Sequence, residues 1–203
     1  MEYNDISILR LEEDEKVETF DCGDEDLNDF IVNEAQPYRK ALIATSYIAQ
    51  NKEGVLLGFF SLANDKISLS NFASKTEYNR FRKTRFVNEK RLKGYPAVKL
   101  CRLGISTLAH GQHIGSYLLD FIKSYFVNDN KTGCRFAIVD AKNEPNVLRF
   151  YEKNNFKTLF PREIDEMFYT KPPKSEEERK EQQKNPRQLR TRLMFSDLLA
   201  DSL

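Results

Sequence analysis

His110-Gly111-Gln112-His113-Ile114-Gly115-Ser116 is the stretch on which the reading of this chain turns. It follows an apolar run, Ala97–Ile105, that reads as a strand. It precedes a segment from about Ile114 to Val127 whose apolar residues Ile114, Leu118, Leu119, Ile122, Tyr125 and Phe126 keep helical spacing. A loop that opens a helix in this way presents backbone N–H groups without intrahelical acceptors, at the positive end of the helix dipole. Glycines at 111 and 115 let a phosphate approach the backbone and let the helix pack closely on a sheet. A plain structural turn also uses glycines at this spacing, so the loop alone leaves both readings open.

Working outward, Arg135–Asp140 is a short strand without periodic polarity, which suits burial on both faces beside a parallel partner. Strand, loop, helix and strand from 97 to 140 then make one right-handed crossover unit inside a mixed sheet. Asn146–Lys153 reads as a helix, Phe156–Phe160 as a strand and Leu193–Asp197 as a closing strand. Between them, residues 171–188 are charged and nearly devoid of hydrophobes, a loop or an exposed helix. Towards the start, residues 6–11 alternate as a first strand. Asp24-Glu25-Asp26 opens a helix that carries Leu27, Phe30, Ile31 and Ala35 on one face, and Pro37 should bend or end it. Thr45–Ala49 and Val55–Leu62 form a hairpin through Asn51-Lys52-Glu53-Gly54. Residues 63–96 are polar and basic, with a strand at Lys66–Leu69 followed by a helix or loop, and Pro96 breaks the chain before the strand at 97.

The 203 residues, 40% hydrophobic and 31% charged, suit one domain over 1–203 with charged insertions at about 70–96 and 163–190. No run is long and apolar enough for a membrane span, and Met1-Glu2-Tyr3-Asn4-Asp5 lacks the basic flank and apolar core of a secretory signal. Cys22, Cys101 and Cys134 are odd in number and far apart, the pattern of reduced thiols in a cytoplasmic protein. His110 and His113 lack the further ligands that a metal site needs, so no metal is expected. The net charge of +1 hides a segregation: residues 1–29 hold twelve Asp/Glu against Arg10 and Lys16, and residues 75–99 hold nine Lys/Arg against Glu77 and Glu89. These are either two solvated surfaces or a field that meets an anionic partner.

A second motif lies about forty residues after the first: Phe150-Tyr151-Glu152-Lys153-Asn154-Asn155-Phe156. Together the two resemble the GNAT superfamily of N-acetyltransferases. Gly111, Gln112, Ile114 and Gly115 match its coenzyme A loop, while His110 stands where Gln is usual and His113 where the middle glycine is usual. Asn155 replaces the glycine of the second motif, a mild change because Asn is the best non-glycine residue for a left-handed helix cap. Phe20-Asp21-Cys22-Gly23 with Leu27 and Phe30 is similar to the opening of the branch that includes toxins of toxin–antitoxin pairs. Gly58–Leu62, Tyr95-Pro96 and Leu100–Ile105 fall where that branch has its third and fourth strands. The match covers most of 6–160 and the final strand.

The resemblance implies an α/β (α+β) domain. Its mixed sheet of about six to seven strands, flanked by helices, splays between two central parallel strands. It implies acetyl-CoA as acetyl donor, held by Leu103, Gly104, Ile105, Gly111, Gln112, His113, Ile114, Gly115, Ser116 and Asn146. A backbone N–H near Leu103–Ile105 would stabilise the oxyanion. Tyr151 would protonate the departing thiolate as general acid. No general base stands out, since Asp140 and Glu144 read as turn or cap residues. The acceptor is a primary amine, with aminoacyl-tRNA favoured by the basic stretch and a protein, peptide or polyamine amine as the alternative. A homodimer and an antitoxin are further partners that the resemblance raises. Two other readings compete: a non-catalytic coenzyme A-binding module, and a nucleic-acid- or ribosome-binding module. In the latter, Tyr78, Phe81 and Phe86 would stack on bases, unless they serve local packing.

Overall fold

The computed structural model describes residues 5–72, 74–83, 85, 92–128 and 132–200. Its strands are β1 (Ser7–Arg10), β2 (Thr45–Gln50), β3 (Leu56–Ser68), β4 (Gly94–Ile105), β5 (Phe136–Lys142), β6 (Lys157–Thr158) and β7 (Thr191–Asp197). They pair in the order β1-β2-β3-β4-β5-β7-β6, antiparallel except for β4 beside β5. The helices are α1 (Glu25–Asp29), α2 (Ala35–Lys40), α3 (Lys75–Lys83), α4 (Ile114–Asn128), α5 (Pro145–Lys153), α6 (Glu163–Thr170) and α7 (Glu176–Lys184). Two compact units result: unit 1 takes Met1–Asn64 and Val98–Thr132, and unit 2 takes Asp65–Ala97 and Gly133–Leu203.

In unit 1 the hairpin turn forms because the Asn51 side-chain oxygen accepts the N–H groups of Glu53 and Val55. The register places Ser46 opposite Ser61, and their buried hydroxyls satisfy each other at 2.7 Å. Asp24 caps α1 through the Leu27 N–H. Leu11, Val17, Phe30, Ile31, Ala35 and Phe59 make the core beneath the helices. Of the two outcomes that the sequence left open at Pro37, a bend or an end, the helix does not end there. A π turn at Phe30–Glu34 widens the ladder just before it, so the chain continues helical to Lys40 despite the missing donor.

Unit 2 builds its core from Ile67, Tyr78, Tyr95, Ala97, Phe136, Ile138, Leu159, Phe160 and Phe195. β5 and β7 pair over their full length, from Phe136 opposite Asp197 to Lys142 opposite Thr191. Three sequence expectations change here. The separate strand at 66–69 is the far end of β3, where exposed Asn64, Asp65 and Lys66 interrupt the apolar pattern but not the backbone. Pro96 lies inside β4 and not before it; its carbonyl still accepts the Arg135 N–H at 2.9 Å. The strand expected over Phe156–Phe160 shrinks to β6, and Leu159 and Phe160 pack as core residues beyond it. Helix α6, within the 163–190 insertion, was not read from sequence. It buries Glu166 and Met167, and the Glu166 carboxylate receives the Arg192 Nε at 2.7 Å.

Candidate active site

The loop at 106–116 grows directly out of β4. The Ser106 N–H continues the ladder to Leu57 O at 2.9 Å. A 3₁₀ turn at Thr107–Ala109 follows, closed by the Ala109 N–H on Ser106 O at 2.8 Å. His110 then folds back, its ring Nε2 donating to Ile105 O at 2.9 Å. That bond ties the loop to the end of β4, a role that the sequence did not reveal. Gln112 turns its side chain inward to the Leu108 carbonyl at 3.0 Å. Gly111 has φ +76° and His113 φ +60°, so both hold the left-handed backbone. His113 therefore adopts a conformation that glycine favours, with its side chain exposed.

Helix α4 begins at Ile114, and its first ladder bond runs from the Tyr117 N–H to His113 O. The N–H groups of Ile114, Gly115 and Ser116 thus have no intrahelical acceptor. Ile114, Gly115 and Leu118 are buried, which anchors the helix. Upstream, Gly104 is required by packing: a Cβ there would lie 2.5 Å from Phe59 Cε1 and 3.2 Å from Phe20 Cε1. Across the sheet, a Cβ on Gly58 would sit 2.8 Å from Gly104 O. Gly104 is therefore held against aromatic rings, and Ile105 is joined to the 106–116 loop through His110.

In unit 2, Tyr151 sits in the last turn of α5. The helix closes with a Schellman motif: Phe156 N–H on Tyr151 O at 3.0 Å and Asn155 N–H on Glu152 O at 3.1 Å. Asn155 supplies the left-handed residue at φ +63°. The apolar contact that accompanies such caps is made by Tyr151 itself, edge-on to Phe156 with ring centroids 5.4 Å apart. Phe150 meets the same ring at 5.1 Å. Tyr151 is 7% exposed, and burial pushes its phenol well above the ordinary tyrosine value. Asn146 lies in the first turn of the same helix, but exposed and on a different face. Glu144 occupies the N-cap position without a side-chain bond, and Asp140 is exposed at the β5 end.

In the basic stretch the structure decides between the two readings that the sequence left open for the aromatic residues, and favours local packing. Tyr78 is buried with its hydroxyl on Leu92 O at 2.8 Å, and Phe81 packs on Phe72, Phe136 and Phe195. Tyr78 belongs to the core and Phe81, partly buried, packs against it, while Phe86 lies outside the described residues. Arg85 is structural too: its guanidinium lies 4.1 Å from the Phe81 ring centroid and 3.6 Å from the Asp197 carboxylate. Lys75, Arg80 and Lys83 are the exposed cations of α3. Unit 1 has 16 acidic against 9 basic residues, a formal charge of −7, and unit 2 has 15 against 23, a charge of +8. No cluster of metal ligands occurs among the described residues.

No family model matches the chain, and no curated protein matches it in sequence. Solved structures do match. A tyrosine-to-phenylalanine mutant of KacT aligns with a TM-score of 0.65 at 17% identity over 98% of both chains. AtaT complexed with acetyl-methionyl-tRNAfMet aligns at 0.60 and 22% over 79% of this chain and 92% of that one. AtaTR bound with AcCoA aligns at 0.58 and 25% over 77% and 88%. Sheet, crossover and loop thus have the acetyltransferase fold of the GNAT type. Within it, the chain takes the form of the toxin acetyltransferases KacT and AtaT, as the motifs led us to expect. No helix among the described residues is long and apolar enough to cross a membrane.

Proposed function

We propose that the protein is an acetyl-CoA-dependent N-acetyltransferase whose acceptor is the primary amine of an aminoacyl-tRNA. The observation that carries the catalytic part is Tyr151: a buried ring whose phenol is held protonated by its surroundings, fixed by its own helix cap at the motif position. A phenol that stays protonated at neutral pH can give its proton to a thiolate leaving group. In this reading the N–H groups of Ile114, Gly115 and Ser116 receive the pyrophosphate, with the Gly111 and His113 backbone shaping the approach. The thioester lies against Leu103–Ile105, whose backbone stabilises the oxyanion as the amine nitrogen attacks the carbonyl carbon. The carbon–sulfur bond then breaks and the Tyr151 hydroxyl gives its proton to sulfur. The proton shed by the new amide nitrogen passes to water, and solvent restores the phenol.

The tRNA part rests on charge. A unit of +8 with Lys75, Arg80 and Lys83 exposed attracts a polyphosphate and repels a polyamine. AtaT is complexed with acetyl-methionyl-tRNAfMet and, in other structures, with its antitoxin AtaR, which supports both this acceptor and a cognate antitoxin for the present chain. The test is a mass-shift assay with acetyl-CoA against charged tRNA, peptides and polyamines. Acetylation confined to charged tRNA supports the reading, whereas peptide or polyamine acetylation replaces the acceptor. For Tyr151→Phe, turnover should fall about 10²-fold or more while acetyl-CoA affinity holds. An unchanged rate, where chemistry limits turnover, would assign the proton to another donor.

A further inference from the structure

Phe20-Asp21-Cys22-Gly23 lies far in sequence from the coenzyme loop, yet in unit 1 it is bonded to the root of that loop. The Asp21 backbone carbonyl accepts the Thr107 N–H at 2.9 Å, and its Oδ2 accepts the Thr107 hydroxyl at 3.4 Å. The other carboxylate oxygen, Oδ1, accepts the Gly23 N–H at 2.9 Å and Asn28 Nδ2 at 3.3 Å. Asn28 in turn accepts the Cys22 N–H at 2.9 Å, so the segment is clamped to α1. Gly23 makes the turn with φ +80°, a conformation that a side chain would strain. Next to it, Phe20 packs edge-on to Phe59 and lies against the Gly104 backbone. One tetrapeptide therefore backs the end of β4 through Phe20 and the 107–110 turn through Asp21.

Thr107 is the point where the chain leaves β4, and the 3₁₀ turn that it begins ends at His110. His110 is the residue bonded back to Ile105. The Thr107 bonds act beside the His110–Ile105 tie, and loosening them would give the turn more play about Ser106 and blur the aim of the 114–116 N–H groups relative to Leu103–Ile105. We propose that Asp21 is a positioning residue: it touches neither coenzyme nor acceptor, but holds the Thr107–His110 turn so that the coenzyme loop is preorganised for acetyl-CoA. The carboxylate is held below the usual range, chiefly by the Gly23 N–H, so it is charged and a full acceptor at neutral pH. Asp21 is exposed, so its replacement opens no core.

The proposal rests on the acetyl-CoA reading of this loop and is tested on the whole chain. Asp21→Ala should weaken acetyl-CoA about tenfold by calorimetry, and raise its KM with kcat within about threefold, because the tie shapes binding and not the proton transfer. Asp21→Asn keeps one acceptor and should lie between. Thr107→Val removes only the hydroxyl donor; it should weaken acetyl-CoA alone but add little on top of Asp21→Ala, since both act through one tie. Amides 107–113 of the unliganded protein should exchange hydrogen faster in Asp21→Ala while the Tm holds. Equal acetyl-CoA affinity in folded Asp21→Ala and parent overturns this inference alone, as does additivity of the two changes. A parent protein that fails to bind acetyl-CoA overturns the functional reading, and this inference with it.

Discussion

Asn155 shows how one backbone conformation can place a neighbouring side chain. It is exposed and left-handed, and the cap that it completes lets Tyr151 close on Phe156. Asn155→Gly should raise the Tm slightly, because glycine reaches this conformation without Cβ strain. Asn155→Val should lower stability by about 1–2 kcal/mol and, by loosening the cap, reduce turnover in parallel. A thermal melt and a rate for each variant check both, and a stable but inactive Asn155→Gly would show that Asn155 has a polar role of its own. Tyr151 gives a spectroscopic check. Burial raises its folded pKa, so the neutral phenol persists above the ordinary tyrosine value, where an unfolded chain would already ionise. Folded stability is therefore lost as pH rises from that value upward. An ultraviolet titration should find a late-ionising tyrosine that disappears in Tyr151→Phe, and Tyr47, pushed up to about 12 by burial, should remain late.

Elements set the two anchoring points of the machinery. Helix α4 presents its first N–H groups because Ile114, Gly115 and Leu118 bury its inner face. Gly115→Asp would bring bulk and negative charge to that turn and should weaken acetyl-CoA tenfold or more, about 1.4 kcal/mol. Unchanged affinity by titration calorimetry would remove the loop from the coenzyme site. Helix α6 is fastened to β7 by Glu166, which accepts the Arg192 Nε and the Leu193 N–H, while Arg192 also donates to Phe160 O at 2.9 Å. Burial pushes the Glu166 carboxyl up, and Arg192 pulls it back down. Glu166→Gln would strand a buried guanidinium and should cost about 3–5 kcal/mol by denaturant unfolding. Adding Arg192→Met should recover much of that loss, because the penalty is the orphaned charge and not the missing attraction.

At the scale of the whole molecule, charge is the property to test. Changing Lys75, Arg80 and Lys83 to Ser leaves the core untouched and removes three exposed cations from unit 2. Charged-tRNA binding should weaken and its salt slope flatten, with acetyl-CoA affinity unchanged. Arg85 is left in place, because its contacts with Phe81 and Asp197 make its loss a folding defect. Equal acetylation of charged tRNA by parent and variant at every salt concentration would reduce α3 to a solvated surface.

Local pattern carries some information about this protein and none of the rest. Helical spacing placed α4 within a residue, and the strand–loop–helix order with the Tyr151 motif pointed to the acetyltransferase fold, because periodicity and glycine placement act over a few residues. The same locality explains the errors. A polar patch hid the continuity of β3, and an acidic run hid α6, whose Glu166 is buried by Arg192 from 26 residues later. For Tyr78 and Phe81 the sequence left base stacking and local packing equally open, and long-range packing against the unit 2 core decided for the second. Asp21 and His110 could be read only as motif letters, since the bonds that give them their work span 86 residues in one case and a reversed turn in the other. Short-range preference determines which elements form; which side chains meet is decided by burial and hydrogen-bond satisfaction across the folded chain.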